Sequence, residues 1–307
     1  MDGSMLRVLF ALVAVFLSVS PPAVAQDRVT LGWGRLFSND ALGDGKDRWH
    51  TGSYSISRVR GTSWSGTMPD RPGEILEFRL RADTIAPASL TEPESGDRRY
   101  AGVLSFAMFT HSQVLGLETS LGAGLALTGP QTGIGAFQRE IHQVLGLSRP
   151  TVLGEQIPNG VHAMVDAEVG RSFSVSSNIA VRPFVAAQAG YETLLRAGGD
   201  LVIGSFGQGA LMLRDATTGQ RYRGVAGATV PGLSMTLGAD VARVFDSAVL
   251  PDGGAARLSD TRARVRAGMQ WQGEAAQVFY GVTWLGREFD DQPEGQVVGS
   301  LNLRLRF

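Results

Sequence analysis

Side chains able to do chemistry gather at two places in this sequence. The stretch SNDALGDGKDRWHTGS, residues 38–53, holds Asn39, Asp40, Asp44, Asp47, Arg48, His50 and Thr51. Carboxylate, imidazole, amide and hydroxyl groups at that density suit proton transfer and ion binding, and equally a loop that is polar because it is wet. The second place is GIGAFQREIHQVLGLS, where His142 follows Gln138 by one helical turn. The other histidines are His50, His111 and His162. An imidazole accepts a proton near neutral pH, although a histidine on a helix is more often just a polar surface residue. Neither a G-x-S-x-G elbow nor an H-E-x-x-H pair nor another strong hydrolase motif occurs.

The elements that position these groups follow from the rest of the chain. MLRVLFALVAVFLSVSPPAVAQ carries Arg7, an apolar run and an A-x-A exit at Ala23–Ala25. That pattern predicts a signal peptide over residues 1–25, the run being too short to span a bilayer. Roughly 280 residues then remain, enough for one large domain over 26–307. Cysteine is absent and the net charge is −1, which leaves no disulfide or thiol chemistry and no case for nucleic acid. The 40 glycines are not periodic, which excludes a collagen-like chain.

Alternation fills the remainder. In GQVVGSLNLRLRF, Leu301, Leu303, Leu305 and Phe307 share one face, with Asn302, Arg304 and Arg306 on the other. Leu76, Phe78 and Leu80 likewise oppose Glu77, Arg79, Arg81 and Asp83, and Val265, Met269 and Trp271 oppose Arg264, Arg266 and Gln270. Export, recurrent strands of about ten residues and a terminal phenylalanine predict an all-β transmembrane antiparallel β-barrel in the bacterial outer membrane, apolar face to lipid. Thirteen strand-like segments can be drawn. Treating 220–246 as one long strand bent at Pro231-Gly232 gives an even twelve, and a fourteenth strand near 208–214 is the alternative. The inward charges read as ladders filling the lumen. Residues 38–50 and 127–159 then become extracellular loops. Ile134, Phe137, Ile141 and Leu145 predict a short helix in the second.

Three blocks resemble a known family. Asn39-Asp40 followed by Asp47-Arg48-Trp49-His50-Thr51-Gly52, then RRYAGVLSFAM at 98–108, then SLGAGLALTGPQTGIGAFQREIHQVLG at 120–146, are similar in kind and order to the lipid A 3′-O-deacylase (LpxR) family. GREF at 286–289 is a weaker echo. The resemblance implies a twelve-stranded outer-membrane barrel that removes the 3′-linked acyloxyacyl group of lipid A with calcium (Ca2+) assistance. It implies His142 as general base, Asn39 as a positioning or oxyanion group, Thr51 as a further hydroxyl, and Asp40 as the metal ligand or orienter of the histidine. Arg48, Arg98 and Arg99, with Lys46, would meet the phosphates of the substrate at the rim. The implied partners are lipid A or lipopolysaccharide of the outer leaflet and outer-membrane lipid, met by a monomer.

The chain departs from the family pattern at His50, where many members have tyrosine, at Arg99, and in QVLGLSRP, which offers no carboxylate or tyrosine after His142. A non-catalytic barrel, pore or structural, is the alternative. A phospholipid hydrolase would need a Ser-His pair that does not stand out.

Overall fold

The computed structural model describes residues 27–227 and 229–305, so the expected signal peptide and Phe307 lie outside the described residues. Its wall begins with β1 (Val29–Asn39), β2 (Trp49–Gly61), β3 (Ile75–Ala86), β4 (Ala101–Val114), β5 (Leu117–Thr128) and β6 (Gly160–Gly170). The short β7 (Phe173–Ser176) continues the line of β6, and both pair with β8 (Ile179–Ala189). β9 (Glu192–Ile203), β12 (Gly232–Ser247), β13 (Thr261–Gln272), β14 (Ala276–Leu285) and β15 (Gln296–Leu305) complete it. Neighbours are antiparallel throughout, and β15 returns to β1, giving a closed twelve-stranded barrel.

The alternation faces as expected. Leu80, Val265, Met269, Leu301 and Leu303 are exposed to the lipid side, while Glu77, Arg81, Asp83, Arg264 and Arg266 are buried inside. Exposed Trp271 near the end that carries both chain termini, and Tyr54 and Trp284 near the other, mark the aromatic girdles of a membrane wall. No helix among the described residues is long and apolar enough to cross a membrane, so the crossing is made by strands.

Twelve strands are present, but not by the expected route. Residues 220–230 are not the lower half of a bent wall strand, nor is there a fourteenth. β10 (Leu211–Arg214) and β11 (Arg221–Val225) form a separate two-stranded hairpin between β9 and β12. It enters the lumen from the end that holds the termini. Leu211, Leu213, Tyr222 and Val225 pack there against the inward Leu36, Val59, Ile75 and Phe279. Gly32 permits the approach, since a Cβ at that position would lie 2.3 Å from the carbonyl oxygen of Gly224.

The tip of the hairpin is bound to the charge ladder of the wall. Arg214 donates to Glu168 at 2.6 Å and Asp200 at 2.8 Å. Thr217 donates to Asp83 at 2.9 Å, and Arg264 donates to the Thr217 carbonyl at 2.9 Å. The inward charges thus fill the lumen by gripping a plug as well as by pairing across it.

The first and last strands meet over a short seam. Among the described residues, only Phe37, Ser38 and Asn39 register with Leu301, Ser300 and Gly299. Below them side chains replace the ladder, Asn302 donating to the Arg35 carbonyl at 2.5 Å and Arg304 to that of Trp33 at 3.3 Å.

Candidate active site

At the extracellular rim one row crosses four strands: Asn39 registers with Gly52, Gly52 with Thr84, and Thr84 with Gly102. Each shares its strand parity with a lipid-facing residue, namely Phe37, Tyr54, Leu80 and Phe106. The row therefore stands on the outer surface of the barrel. β2 has thirteen residues and β4 fourteen, more than the about ten needed to cross, so their upper ends stand at or above the lipid surface. A β-bulge between His50 and Gly52 re-aims the side chains at this point. Thr51 sits in it, buried, with its hydroxyl 3.4 Å from the Thr84 carbonyl.

The helix α1 (Ile134–Leu145) roofs the row. Its buried residues are Ile134, Gly135, Gln138 and His142, so its polar pair faces the wall. Gly102 makes the fit: a Cβ there would stand 2.6 Å from Thr132 Oγ1 and 2.9 Å from Ile134 Cβ. Gly102→Leu is expected to lift α1, lowering turnover while leaving the unfolding temperature of the barrel nearly unchanged. Paired activity and thermal-unfolding measurements check this.

His142 is anchored at Nδ1, 2.8 Å from the carbonyl oxygen of Ser148. Since only N–H can donate to a carbonyl, the proton sits on Nδ1 in neutral imidazole and the lone pair is on Nε2. Nε2 lies 3.4 Å from Asp47 Oδ2. Burial raises the Asp47 carboxyl above its ordinary range, and His142 opposes the rise. Asp47 (φ 48°) and Trp49 (φ 52°) both occupy the left-handed region, a strained arrangement that concentrates at functional sites. Tyr100, buried beside Gly135, has a phenol raised by burial and by Asp47, and its hydroxyl has no hydrogen-bond partner among the described residues. The Oε1 of Gln138 is also buried without one.

Asn39 caps the turn that follows β1, its Oδ1 accepting from Ala41 N at 2.8 Å, while its Nδ2 lies over Gly52. Asp40 is fully buried and accepts from Arg48 N at 2.8 Å. Burial pushes its carboxyl up to about 7; the Arg48 N–H opposes this, and Asp47 and Asp44 add to it. An acid raised on folding binds extra protons when folded, so its stabilisation is complete below about 4 and disappears as pH rises through about 7. In chelating buffer, Asp40→Asn is expected to flatten the fall in unfolding temperature that the parent shows between those pH values. Identical slopes would refute the assignment.

The inner side of the rim holds a second cluster. His50 Nε2 lies 2.9 Å from Glu288 Oε1, Arg98 pairs with the other oxygen of Glu288, and Arg262 approaches at 3.3 Å. Burial would raise Glu288, but Arg262, His50 and Arg98 hold it well below the usual carboxylate range. A lumen cavity of about 150 Å³ is lined by His50, Arg98, Arg262 and Glu288 but not by His142, Asn39 or Asp40. The rim therefore carries two clusters, one facing the lumen and one on the outer wall.

The structure places Asn39 on the outer row and His142 under α1 with Asp47 at 3.4 Å, while Asp40 is buried in the turn after β1 and Thr51 in the bulge of β2. It does not bring the three arginines together. Arg98 turns inward to Glu288, Arg99 is exposed, and Arg48 stacks on Trp49 and shares Glu294 with Lys46. Asp47 and Tyr100 were within quoted motifs yet carried no expected role. As for calcium, no group of three or more histidine or acidic side chains converges among the described residues. Asp44 is engaged by Val297 N, Lys46 N and Arg48, and Asp40 by Arg48 N. The residues as arranged do not form a calcium cage.

A family model described as "Outer membrane protein LpxR" matches residues 9–307. No curated protein matches the chain. Among solved structures, LpxR from Salmonella typhimurium is similar with a TM-score of 0.74 at 17% identity, covering 90% of this chain and 100% of that one. At that identity the likeness speaks to the fold alone. The β domain of the Bordetella autotransporter BrkA scores 0.43 at 14% identity over 90% of this chain and 99% of its own. The KdgM porin in complex with oligogalacturonate scores 0.39 at 6% identity over 90% and 98%. Scores that low carry no argument.

Proposed function

Because the chain belongs to the LpxR family of outer membrane proteins, we propose that this barrel is an ester hydrolase that removes the 3′-linked acyloxyacyl group from lipid A in the outer leaflet. The observation that carries the reading is the place of His142. It faces the outer wall under α1, where a lipid arrives sideways from the membrane, and not the lumen.

In this mechanism the Ser148 carbonyl holds the imidazole so that Nε2 accepts a proton. A water bound beside Nε2 and Asp47 loses that proton as its oxygen attacks the ester carbonyl. The negative charge that builds on the carbonyl oxygen needs fixed donors. Asn39 offers Nδ2, because Ala41 N already holds its Oδ1, and the Tyr100 hydroxyl is a second, unpartnered donor. Collapse breaks the bond to the sugar oxygen, which takes the proton from the imidazolium. The products are the free acid and a sugar hydroxyl. Thr51 supports the bulge beneath Asn39, and Arg99 with Arg48 and Lys46 offers charge to the phosphates. No step is routed through calcium, because the side chains around Asp40 form no cage for it as arranged; Asp40 is the one carboxylate proposed to contact it.

The test is mass spectrometry of lipid A from cells carrying the parent chain, with Ca2+ or with chelator. Loss of an acyloxyacyl mass supports the reading, and its dependence on Ca2+ supports the metal assignment. Unchanged lipid A beside folded, membrane-inserted protein sinks it. The pore alternative meets the β10–β11 hairpin where its channel would run.

A further inference from the structure

The helix α1 has three faces, since successive residues turn by about 100°. Ile134, Gly135, Gln138 and His142 face the wall. Arg139, Glu140 and Gln143 form a polar strip on the opposite side. Between them, Phe137, Ile141, Val144 and Leu145 are 67, 39, 80 and 64% exposed, and Leu147 just beyond is 53% exposed. A twelve-residue helix seldom leaves so much apolar surface to water when its buried face is polar.

We propose that this apolar face is immersed in the boundary between headgroups and acyl chains of the outer leaflet and forms a landing for the acyl chain whose ester meets His142. Continuity with the lipid-facing wall carries the assignment. α1 begins on Gly102, and the next outward residues down β4 are Leu104, Phe106 and Met108, of which Phe106 and Met108 are exposed. The apolar side of the helix extends that belt upward, and the polar strip gives its remaining side to water. This is the geometry of an interfacial helix lying in the membrane plane. A lipid moving along the wall then keeps its chain against Phe137, Ile141 and Val144 while its ester passes beneath the helix. The chain-landing half of the proposal rests on the deacylase reading; the immersion does not.

The absence of cysteine makes the test clean, because one introduced thiol can be labelled alone. Nitroxide is attached to Val144→Cys, Phe137→Cys and Gln143→Cys variants of the full chain in lipid vesicles. Collision rates are read with oxygen, which partitions into lipid, and with a water-soluble nickel chelate. Labels at 144 and 137 are expected to favour oxygen and the label at 143 to favour nickel. Equal nickel access at all three overturns the immersion. In the second arm, Val144→Glu is assayed on lipid A in vesicles and on lipid A dispersed in detergent. Selective loss in vesicles supports the landing, and equal loss or no loss overturns it. A parent chain with no hydrolysis at all overturns the deacylase reading and the landing together, while the nitroxide result still decides the immersion.

Discussion

His142→Ala is expected to lower acyl release about 10²–10⁴-fold, the usual contribution of a positioned general base. The same change should barely alter the barrel's unfolding. His142 belongs to a helix laid on the rim, and its contacts are the Ser148 carbonyl and Asp47, not the ladder of the wall. The comparison that isolates chemistry is His142→Gln, which keeps a polar group of similar length but takes no proton. Both variants should fall together in kcat, with KM little changed, because the imidazole acts in the transition state. Asp47→Asn should cost less, since it removes a partner of the base and leaves the base in place. A His142→Ala enzyme retaining more than about a tenth of parental turnover would be inconsistent with a base of that strength.

The second large effect concerns the lumen. Replacing residues 208–226 by a short glycine-serine turn is expected to open an ion-conducting path. β9 and β12 already pair as neighbours, Ile203 with Met235, so the turn spans no gap. The deletion strips Leu36, Val59 and Ile75 of their hairpin partners and leaves Phe279 only its stack on Phe206 from the same cluster. It also leaves Glu168 and Asp200 without Arg214. Removing one partner of a buried ion pair costs about 3–5 kcal/mol, less where water can enter afterwards, as it would here. The variant should therefore insert, unfold at lower temperature and conduct in planar bilayers, whereas the parent should be nearly silent. Equal conductance in the two would mean that the hairpin does not seal the barrel.

Much of the fold was legible because a membrane wall writes its two environments into alternate residues. Leu80 beside Arg81 and Val265 beside Arg266 show it directly. The same alternation misled at Arg221–Val225. That segment is buried on every side, and a lumen hairpin needs no lipid-facing row, so strand pattern alone could not separate plug from wall. Its poverty in large apolar residues, with Arg221 and Arg223 two apart, was the available signal. The helix over 134–145 was legible from Ile134, Phe137, Ile141 and Leu145, but which face packs was not. Where lipid replaces water as surroundings, an apolar stripe can point outward and Gln138 and His142 inward.

The site was half visible. Asn39 stands on the outer row of the rim and His142 faces the wall under α1, whereas Asp40 and Thr51 are buried in the turn and bulge beside them. The joining role of Asp47 depends on left-handed backbone at Asp47 and Trp49, which no residue type announces. Tyr100 stood in a recognised block, but its unpartnered hydroxyl is a fact of burial. Arg98 read as a rim charge because its partner Glu288 lies 190 positions away in sequence.

The short seam between β1 and β15 has a kinetic meaning. Its register pairs join Phe37 to Leu301 across nearly the whole chain, so closing it carries the largest loop-closure entropy of any strand pair in the barrel. With three ladder positions among the described residues in place of the ten that join β14 to β15, it also offers less to hold it shut. A sheet built that way completes its circle last and parts there first. Amide protons of Leu31 to Arg35 should accordingly be the earliest of the wall to exchange with solvent, before any strand leaves the membrane.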